Sequence, residues 1–258
     1  GILMADILHA AWIVAGTGGE VGRGACSQAL AKHRSGQTVD DPPEVSVVPE
    51  LAAQIYGFVK SRQFDPRAKN FYLFIDVGAG TVDVSMFRVK PNEYGTWDFS
   101  LFTSIVEPNG AMNLHRARLD WWRQQLLKLS GAKSKDLQGK IETLKAPTEQ
   151  TQPIPEKYTG YFKGVQVQYS GGAQSPDDAF YMNRLVAQVR GQGVHRTVQL
   201  KIVGKVDLDQ LPFFLCGGGA RLPLYRNIAS ALNSATEFKW LKAHRRELGK
   251  PGELEAPG

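Results

Sequence analysis

The chain has 258 residues, of which 42% are hydrophobic and 10% aromatic, and its formal net charge is +6. This composition is typical of a folded protein with one large or two small domains and excludes an intrinsically disordered chain. No apolar run reaches the roughly 20 residues of a membrane span, and the apolar start of the chain is too short for a secretory signal and carries Asp6 and His9. We therefore expect a soluble, cytoplasmic protein without a membrane partner.

Neither the cysteines nor the histidines form a recognisable site. Cys26 and Cys216 lie far apart without metal-type spacing, which favours reduced thiols over a disulfide framework. The histidines are scattered and have no pair at metal-ligand spacing. The excess positive charge is local, because residues 116–145 hold eight Lys or Arg against three Asp or Glu. A solvated helix face explains this surplus better than a nucleic-acid surface, since no recognition motif accompanies it.

The first 61 residues predict alternating β and α structure. The run HAAWIVAG at 9–16 is typical of a buried strand, and GRGACSQALAKHRSG at 22–36 of a helix rich in small residues. EVSVVPE at 44–50 predicts a second strand, and ELAAQIYGFVKS at 50–61 predicts a second helix.

Three strands are predicted next, followed by a long helix. NFYLFIDVGAG at 70–80, TVDVSMFRVK at 81–90 and WDFSLFTSIV at 97–106 are separated only by short turns, which favours an antiparallel meander. NLHRARLDWWRQQLLKL at 113–129 has apolar residues at helical spacing. We interpret its tryptophan pair as packing residues rather than as a nucleobase platform.

The rest of the chain mixes loops, helices and one more buried strand. The polar stretch at 130–155 predicts a mobile insertion, and GVQVQYSGG at 164–172 a short strand. DDAFYMNRLVAQVRG at 177–191 predicts a helix with aspartates at its amino end, where the helix dipole favours them. LPFFLCGGGARLPLYRNIASALNS at 211–234 predicts a strand, three glycines and a helix entered through Pro223.

Two glycine-containing turns at strand ends suggest a ligand site. Asp76 ends an apolar strand, and the turn that follows contains Gly78 and Gly80 and then the hydroxyl of Thr81. A carboxylate can bind hydrated magnesium, and glycine N–H groups can approach phosphate oxygens. An ordinary hairpin that needs glycine for positive φ is the alternative.

The second turn follows the strand FFLC. Three consecutive glycines at 217–219 leave room for a flat ligand against the backbone, and Arg221 could stack its guanidinium over a base. The two turns together suggest two walls of one cleft.

Four segments carry a resemblance to a known family. DVGAGTVDVS resembles the D-L-G-G-G-T-F-D-V-S phosphate loop of the 70-kDa heat-shock chaperones, and LCGGGARLP resembles their adenosine motif V-G-G-S-T-R-I-P. VVPELAAQIYGF resembles N-E-P-T-A-A-A-L-A-Y-G, and VEPNGAMNLHRARLD resembles G-D-T-H-L-G-G-E-D-F-D. The segments occur in the family's order, so the chain resembles the actin, sugar kinase and heat-shock chaperone ATPase superfamily.

The resemblance implies an α/β, ribonuclease-H-like, actin-type ATPase fold that binds ATP or ADP with Mg²⁺. The glutamate would orient the attacking water, and the first aspartate would hold the magnesium shell. The implied residues are Glu50 and Asp76 as catalytic groups, Asp76 also as metal ligand, and Gly78, Gly80, Thr81, Gly110, Gly217, Gly218, Gly219 and Arg221 for the nucleotide.

Departures from the family pattern shape the expected domain organisation. The superfamily's first D-x-G-T loop and the chaperones' phosphate-facing lysine have no counterpart before residue 76. We therefore expect an incomplete first lobe and no appreciable ATPase activity from these residues taken alone. The expected parts are a first-lobe remnant with a connecting helix (1–70), the second-lobe core (71–129 and 209–235), an inserted smaller subdomain (130–208) and a tail or linker (236–258).

The function expected of the intact protein is chaperone-like, with magnesium-dependent ATP hydrolysis coupled to lobe closure and to a protein partner or client. A non-hydrolysing, nucleotide-sensing scaffold is one alternative, which Ala79 in place of a glycine and the missing first loop favour. A filament-forming actin relative is another. A small-metabolite kinase fits the motif D-V-G-A-G-T-V-D-V-S less well.

Overall fold

The structure is a computed structural model, and it describes residues 2–18, 21–36, 50–128, 132–145, 153–162, 174–234 and 239–248. The chain divides into two compact units, Gly1–Gly57 and Phe58–Gly258. The strands predicted at 44–50 and 164–172 and the tail at 250–258 lie outside the described residues, except for Glu50. In the part of the chain that is described, no helix has the length and apolar character needed to cross a membrane.

The first unit contains two helices that pack on each other. Helix α1 spans Ile2–Gly16 and α2 spans Arg23–Arg34. Their contact buries Ala10, Val14 and Ala29. The α2 helix confirms the prediction for residues 22–36.

The strand predicted at 9–16 was wrong, because these residues belong to α1. The apolar run begins at Ile2 rather than at His9, and its 15 residues are more than a typical strand contains. The run also holds four alanines, which have the highest helix propensity of all residues. Length and alanine content together favour the helix.

Helix α3 spans Glu50–Val59 and confirms the predicted second helix. At its end, in the second unit, Phe58 packs edge to face against Tyr72 and Phe214, with ring centroids 5.6 and 4.9 Å away.

The second unit is built on a five-stranded mixed sheet with the strand order β3-β2-β1-β4-β5. The strands are β1 (Phe71–Val77), β2 (Val82–Pro91), β3 (Trp97–Glu107), β4 (Leu211–Cys216) and β5 (Ala243–Arg246). The first three form the predicted antiparallel meander, and β4 and β5 run parallel to β1. Strand β5 lies inside residues 236–258, which were expected to form a tail or linker.

Strand β1 is central and buried on both faces. Its sequence FYLFIDV is apolar except for Asp76, and Asp76 is its only residue that is not fully buried. Continuous apolar runs are typical of strands covered on both sides. The one carboxylate therefore lies at the carboxyl end of a rigid, buried strand.

Helix α4 spans Ala111–Leu127 and confirms the predicted long helix. The indole of Trp122 is buried and donates its Nε1 hydrogen to the carbonyl of Tyr158 at 2.8 Å. The interpretation of Trp122 as a packing residue is therefore confirmed.

Helix α5 spans Ala132–Lys145, so the predicted mobile insertion at 130–155 was wrong over this range. Leu137 and Ile141 are four residues apart and lie on one face of the helix. Both pack into a buried cluster to which α4 contributes Leu119, Trp122 and Leu126. The helix therefore has an apolar face that packs on α4.

A continuous helical segment follows, made of α6 (Pro176–Phe180), a π-helix (Tyr181–His195) and α7 (Arg196–Gln199). It confirms the predicted helix and extends it at both ends. Its apolar residues share one core with β1, β2 and β4, and these residues include Phe180, Leu185, Val189 and Val194. Within the inserted subdomain predicted at 130–208, residues 180–208 therefore share the core of the sheet.

After β4 come a 3₁₀ turn (Gly218–Arg221) and two short helices, α8 (Pro223–Arg226) and α9 (Ile228–Ser234). Pro223 is the first residue of α8, as predicted.

Candidate functional site

The turn after β1 has four residues, Gly78 to Thr81, and connects β1 to β2. It is closed by a hydrogen bond from the Gly78 N–H to the Thr81 carbonyl at 2.9 Å. Asp76 lies opposite Asp83 in the ladder below the turn. Gly80 is exposed, and a Cβ atom placed on it would meet no atom within 4 Å. The tip of the turn is therefore open.

The carbonyl groups of this turn are held by the start of α4. The N–H groups of Ala111 and Met112 donate to the carbonyls of Gly78 and Ala79 at 3.1 and 2.7 Å. The Gly80 carbonyl accepts from the N–H of Gly110 at 3.2 Å and also from the side-chain amide of Asn113. The first donors of α4, which have no partner inside the helix, are thus satisfied by the turn.

This arrangement orients the N–H groups of the turn. In a trans peptide the carbonyl of one residue and the N–H of the next point in opposite directions, and the described chain has no cis peptide. Because three successive carbonyls face α4, the N–H groups of Ala79, Gly80 and Thr81 face away from it. None of the three donates a backbone hydrogen bond to another described residue. Successive free N–H groups of this kind form an anion-binding concavity.

Gly110 is required by close packing. A Cβ atom on Gly110 would lie 2.6 Å from backbone atoms of Ala79, Gly80 and Thr81. The structure therefore brings Gly110 together with the turn, but as the residue that lets α4 approach it.

The glycines after β4 lie beside Asp76, since β1 and β4 are parallel and pair Asp76 with Cys216. Gly217 has φ +82° and ψ 162°, which is glycine-only backbone. A Cβ on Gly217 would overlap Asp76 Oδ1 and the Val77 carbonyl, and one on Gly219 would overlap Val77 Cγ1. Gly218, by contrast, is exposed and has open space around it.

The two remaining predicted residues, Arg221 and Glu50, are both exposed. Arg221 ends the 3₁₀ turn and is exposed. Glu50 is the first residue of α3 in the first unit, where it is exposed and accepts a hydrogen bond from Gln54 Nε2 at 3.0 Å. Eight of the predicted residues thus lie at or just after the carboxyl ends of β1 and β4 or at the start of α4, namely Asp76, Gly78, Gly80, Thr81, Gly110, Gly217, Gly218 and Gly219.

A buried polar network below the site was missed at the level of sequence. Asn109 donates through Nδ2 to Gln188 Oε1 at 2.9 Å, and Gln188 Nε2 donates to the Val82 carbonyl at 2.7 Å. The Tyr225 hydroxyl donates to the Asn109 carbonyl at 2.7 Å. The network fixes the start of α4 to β2, the π-helix and α8. Only the Asn-Gly pair at 109–110 signalled a turn here.

The charge of Asp76 affects the neighbouring thiol. Burial, with a further contribution from the Asp76 carboxylate, raises the pKa of Cys216 to about 12. The Cys216 thiol therefore stays protonated at neutral pH.

We expect Cys216 to react with a thiol-specific disulfide reagent at pH 8 at least about a hundredfold more slowly than an ordinary thiol, because the thiolate is the reactive form. Cys26 is exposed and serves as the internal reference. The rates are measured separately in Cys26→Ser and Cys216→Ser variants. Equal rates in the two variants would show that Cys216 is not shielded in this way.

Among the described residues, no group of three or more His, Cys, Asp or Glu side chains could hold a metal ion. A metal at this site would therefore depend on Asp76, with Asp83 opposite it in the ladder, and on water and the ligand.

Comparison with known proteins gave matches only among solved structures. No family model and no curated protein matches the chain. The structure "pCBH ParM non-polymerisable quadruple mutant" is similar over 78% of this chain and 49% of that chain, with 15% sequence identity and a TM-score of 0.43. "PilM-PilN type IV pilus biogenesis complex" is similar over 87% of this chain and 48% of that chain, with 15% identity and a TM-score of 0.39. The chain thus spans about half the length of these two structures.

Proposed function

We propose that this protein is an actin-type ATPase relative and that its second unit binds the phosphates of an adenine nucleotide at the turn Gly78–Thr81. The observation that carries this proposal is the set of three outward-facing N–H groups, which exists because α4 holds the three carbonyls behind them. Gly80 has no side chain and open space around it, and Ala79 adds only a methyl group, so a phosphate can approach these donors closely.

Asp76 fits the role of the magnesium ligand. Mg²⁺ usually keeps several waters and is bound by one or two carboxylates together with substrate phosphates. The Asp76 carboxylate at the end of a rigid strand, with Asp83 opposite it and the proposed phosphate-binding turn next to it, suits that pattern. When bound, the ion would neutralise charge on the phosphate oxygens.

The second turn supplies the proposed adenosine surface. The open space over Gly218 leaves room for a flat group against the backbone, and exposed Arg221 lies three residues further along the same turn. A guanidinium can stack on a nucleobase. Arg226, whose Nε donates to the Ala220 carbonyl at 3.4 Å, is a second guanidinium next to this turn.

A second part of the proposal concerns the activity of the intact protein. We propose that it hydrolyses ATP by attack of a water on the γ-phosphate, with Glu50 orienting that water. We further propose a chaperone-like output to a protein partner or client in the cytoplasm. These roles follow from the motif resemblance, and measurements of phosphate release by the intact protein test them.

We expect Asp76→Asn to weaken the magnesium-dependent part of ATP binding by about tenfold or more, because the amide cannot supply a charged oxygen ligand. The near-isosteric amide should leave the circular dichroism spectrum unchanged. Calorimetric titrations with and without Mg²⁺ measure the effect. The matched control is Asp136→Asn, since the Asp136 side chain on α5 is exposed. If Asp76→Asn binds ATP as wild type does in both conditions, Asp76 is not the metal ligand.

Phosphate release by the intact protein separates the functional alternatives. Magnesium-dependent turnover supports the ATPase, whereas tight binding without turnover supports the nucleotide-sensing scaffold. Nucleotide-dependent sedimentation would support the filament-forming alternative.

A further inference from the structure

A second concave site lies at the opposite end of the sheet, where β1, β4 and β5 begin. It is a cavity of about 320 Å³, which lies within the range of about 300–1,000 Å³ found for ligand pockets. We call it the strand-start cavity. All its lining residues belong to the second unit.

The cavity has an apolar and aromatic wall. Phe58 and Tyr72 line it and pack edge to face at 5.6 Å, and Pro212 lies beside them at the start of β4. Pro212 pairs with His244 of β5, so the two side chains lie on the same face of the sheet. Because alternate residues of a strand share a face, Arg246 lies on this face too, whereas Arg245 points to the other.

Two opposite charges line the cavity without neutralising each other. Neither Arg246 nor Asp65 forms an ion pair with any residue in the described ranges. Both line the cavity together with Tyr72, and their charges act in opposite directions on the pKa of the Tyr72 hydroxyl, which burial raises. One oxygen of Asp65 accepts the Arg67 N–H at 2.9 Å. The cavity therefore presents two opposite charges that no described residue pairs, and a ligand that carries both charges would complement them.

His244 adds an orphaned polar atom. Its Nδ1 is shielded from solvent and has no hydrogen-bond partner among the described residues. Burial and the Arg246 charge lower the pKa of His244, so the ring is neutral at neutral pH. A ligand group in the cavity would satisfy this atom.

The backbone around the cavity is strained. Asn70 and Gln210 immediately precede β1 and β4, line the cavity and have positive φ values of 51° and 62°. Such conformations are uncommon for residues other than glycine, although asparagine adopts them more readily than most, and they cluster at ligand sites. The Asn70 side chain is fixed by the Tyr72 hydroxyl at 2.7 Å and by the Asp65 carbonyl at 2.9 Å. The arrangement is therefore held before any ligand enters.

The acidic side chains argue against a simple anion as ligand. Asp209 lines the cavity in addition to Asp65, while Asp207 lies 3.7 Å from Lys69 and is paired with it. A free phosphate on Arg246 would meet the uncompensated carboxylates. A ligand with a positive group as well would not.

We propose that the strand-start cavity binds a small zwitterionic ligand of amino-acid type, with its carboxylate on Arg246, its ammonium on Asp65 and its apolar part against Phe58 and Tyr72. This site is separate from the proposed nucleotide site and does not depend on it.

The test titrates the full chain with the twenty common amino acids, first by ligand-observed NMR and then by calorimetry. We expect at least one to bind with a Kd of about 1 mM or tighter. Arg246→Gln and Asp65→Asn should each weaken binding by about tenfold or more. Arg245→Gln is the matched control, since Arg245 is the neighbouring residue on the other face and pairs with Glu247 at 3.2 Å. It should bind as wild type does.

Blocked ligands test both charges on the wild-type protein, so this result does not depend on the folding of a variant. The N-acetyl and the carboxamide derivatives of the bound amino acid should each bind about tenfold more weakly or worse. Equal affinity for free and blocked forms would overturn the proposal. So would unchanged binding in folded Arg246→Gln, or no binding by any amino acid at about 10 mM.

Discussion

Gly217→Ala is expected to lower the free energy of unfolding by about 3 kcal/mol or more, whereas Gly218→Ala next to it should be nearly neutral. A residue with a side chain costs about 1–3 kcal/mol in the glycine-only conformation of Gly217. The added Cβ would also overlap Asp76 Oδ1 and the Val77 carbonyl, and such overpacking costs about 1–3 kcal/mol. Urea denaturation of both variants measures the difference.

The same pair of variants separates stability from binding. Gly218 has open space around it, so a larger side chain at this position should weaken ligand binding rather than destabilise the fold. Gly218→Val is expected to remain folded and to lose about tenfold or more in nucleotide affinity, since the side chain would occupy the space assigned to adenosine. A folded Gly218→Val variant with wild-type affinity would remove Gly218 from the site. Equal stability of the two alanine variants would contradict the backbone assignment at Gly217.

Arg118→Met is expected to lower the free energy of unfolding by about 3–5 kcal/mol, the usual cost of breaking a buried ion pair from one side. Arg118 is fully buried, and its Nε and an Nη donate to the two Asp177 oxygens at 2.6 and 2.9 Å. The guanidinium also donates to the carbonyls of Pro155 and Glu156 at 2.6 and 3.0 Å. Removing it takes the donor from four acceptor oxygens, of which Asp177 Oδ2 keeps the Tyr158 N–H as a donor.

Arg123→Met is the matched control for this prediction. Arg123 lies on the same helix, but it is more than half exposed and its only ion pair among the described residues is with exposed Glu142 at 3.6 Å. Substitution there should change stability by less than about 0.5 kcal/mol. Chemical denaturation of both variants tests the contrast. Similar, small losses in the two would mean that the Arg118 network does not hold α4 to α6 and to residues 153–162.

The meander and α4 could be predicted because their signals are local. An apolar run such as FYLFIDV can be buried only as a strand or a helix, and its short turns select the strand. By contrast, the segment at 9–16 resembles a strand because it is only the second half of the apolar run that forms α1. Helix α5 was not predicted because its apolar residues Leu137 and Ile141 are buried only through their contact with α4. Strand β5 is four residues long, and nothing in its sequence indicates that β4 lies beside it.

The sequence by itself determined which residue types are available at the candidate site: a strand-end aspartate, glycines that admit a ligand, and an arginine after the second turn. Glycine spacing and apolar runs act over a few residues, so they can be read from the chain directly. Only the tertiary structure decided that α4 turns three N–H groups of the first loop outward, that Gly217 rather than Gly218 lies against Asp76, and that Arg246 and Asp65 share a cavity. These facts depend on contacts between residues that are distant in sequence. The first arises where α4 packs on the turn, and the other two arise because the parallel pairing of β1, β4 and β5 brings the strand ends together.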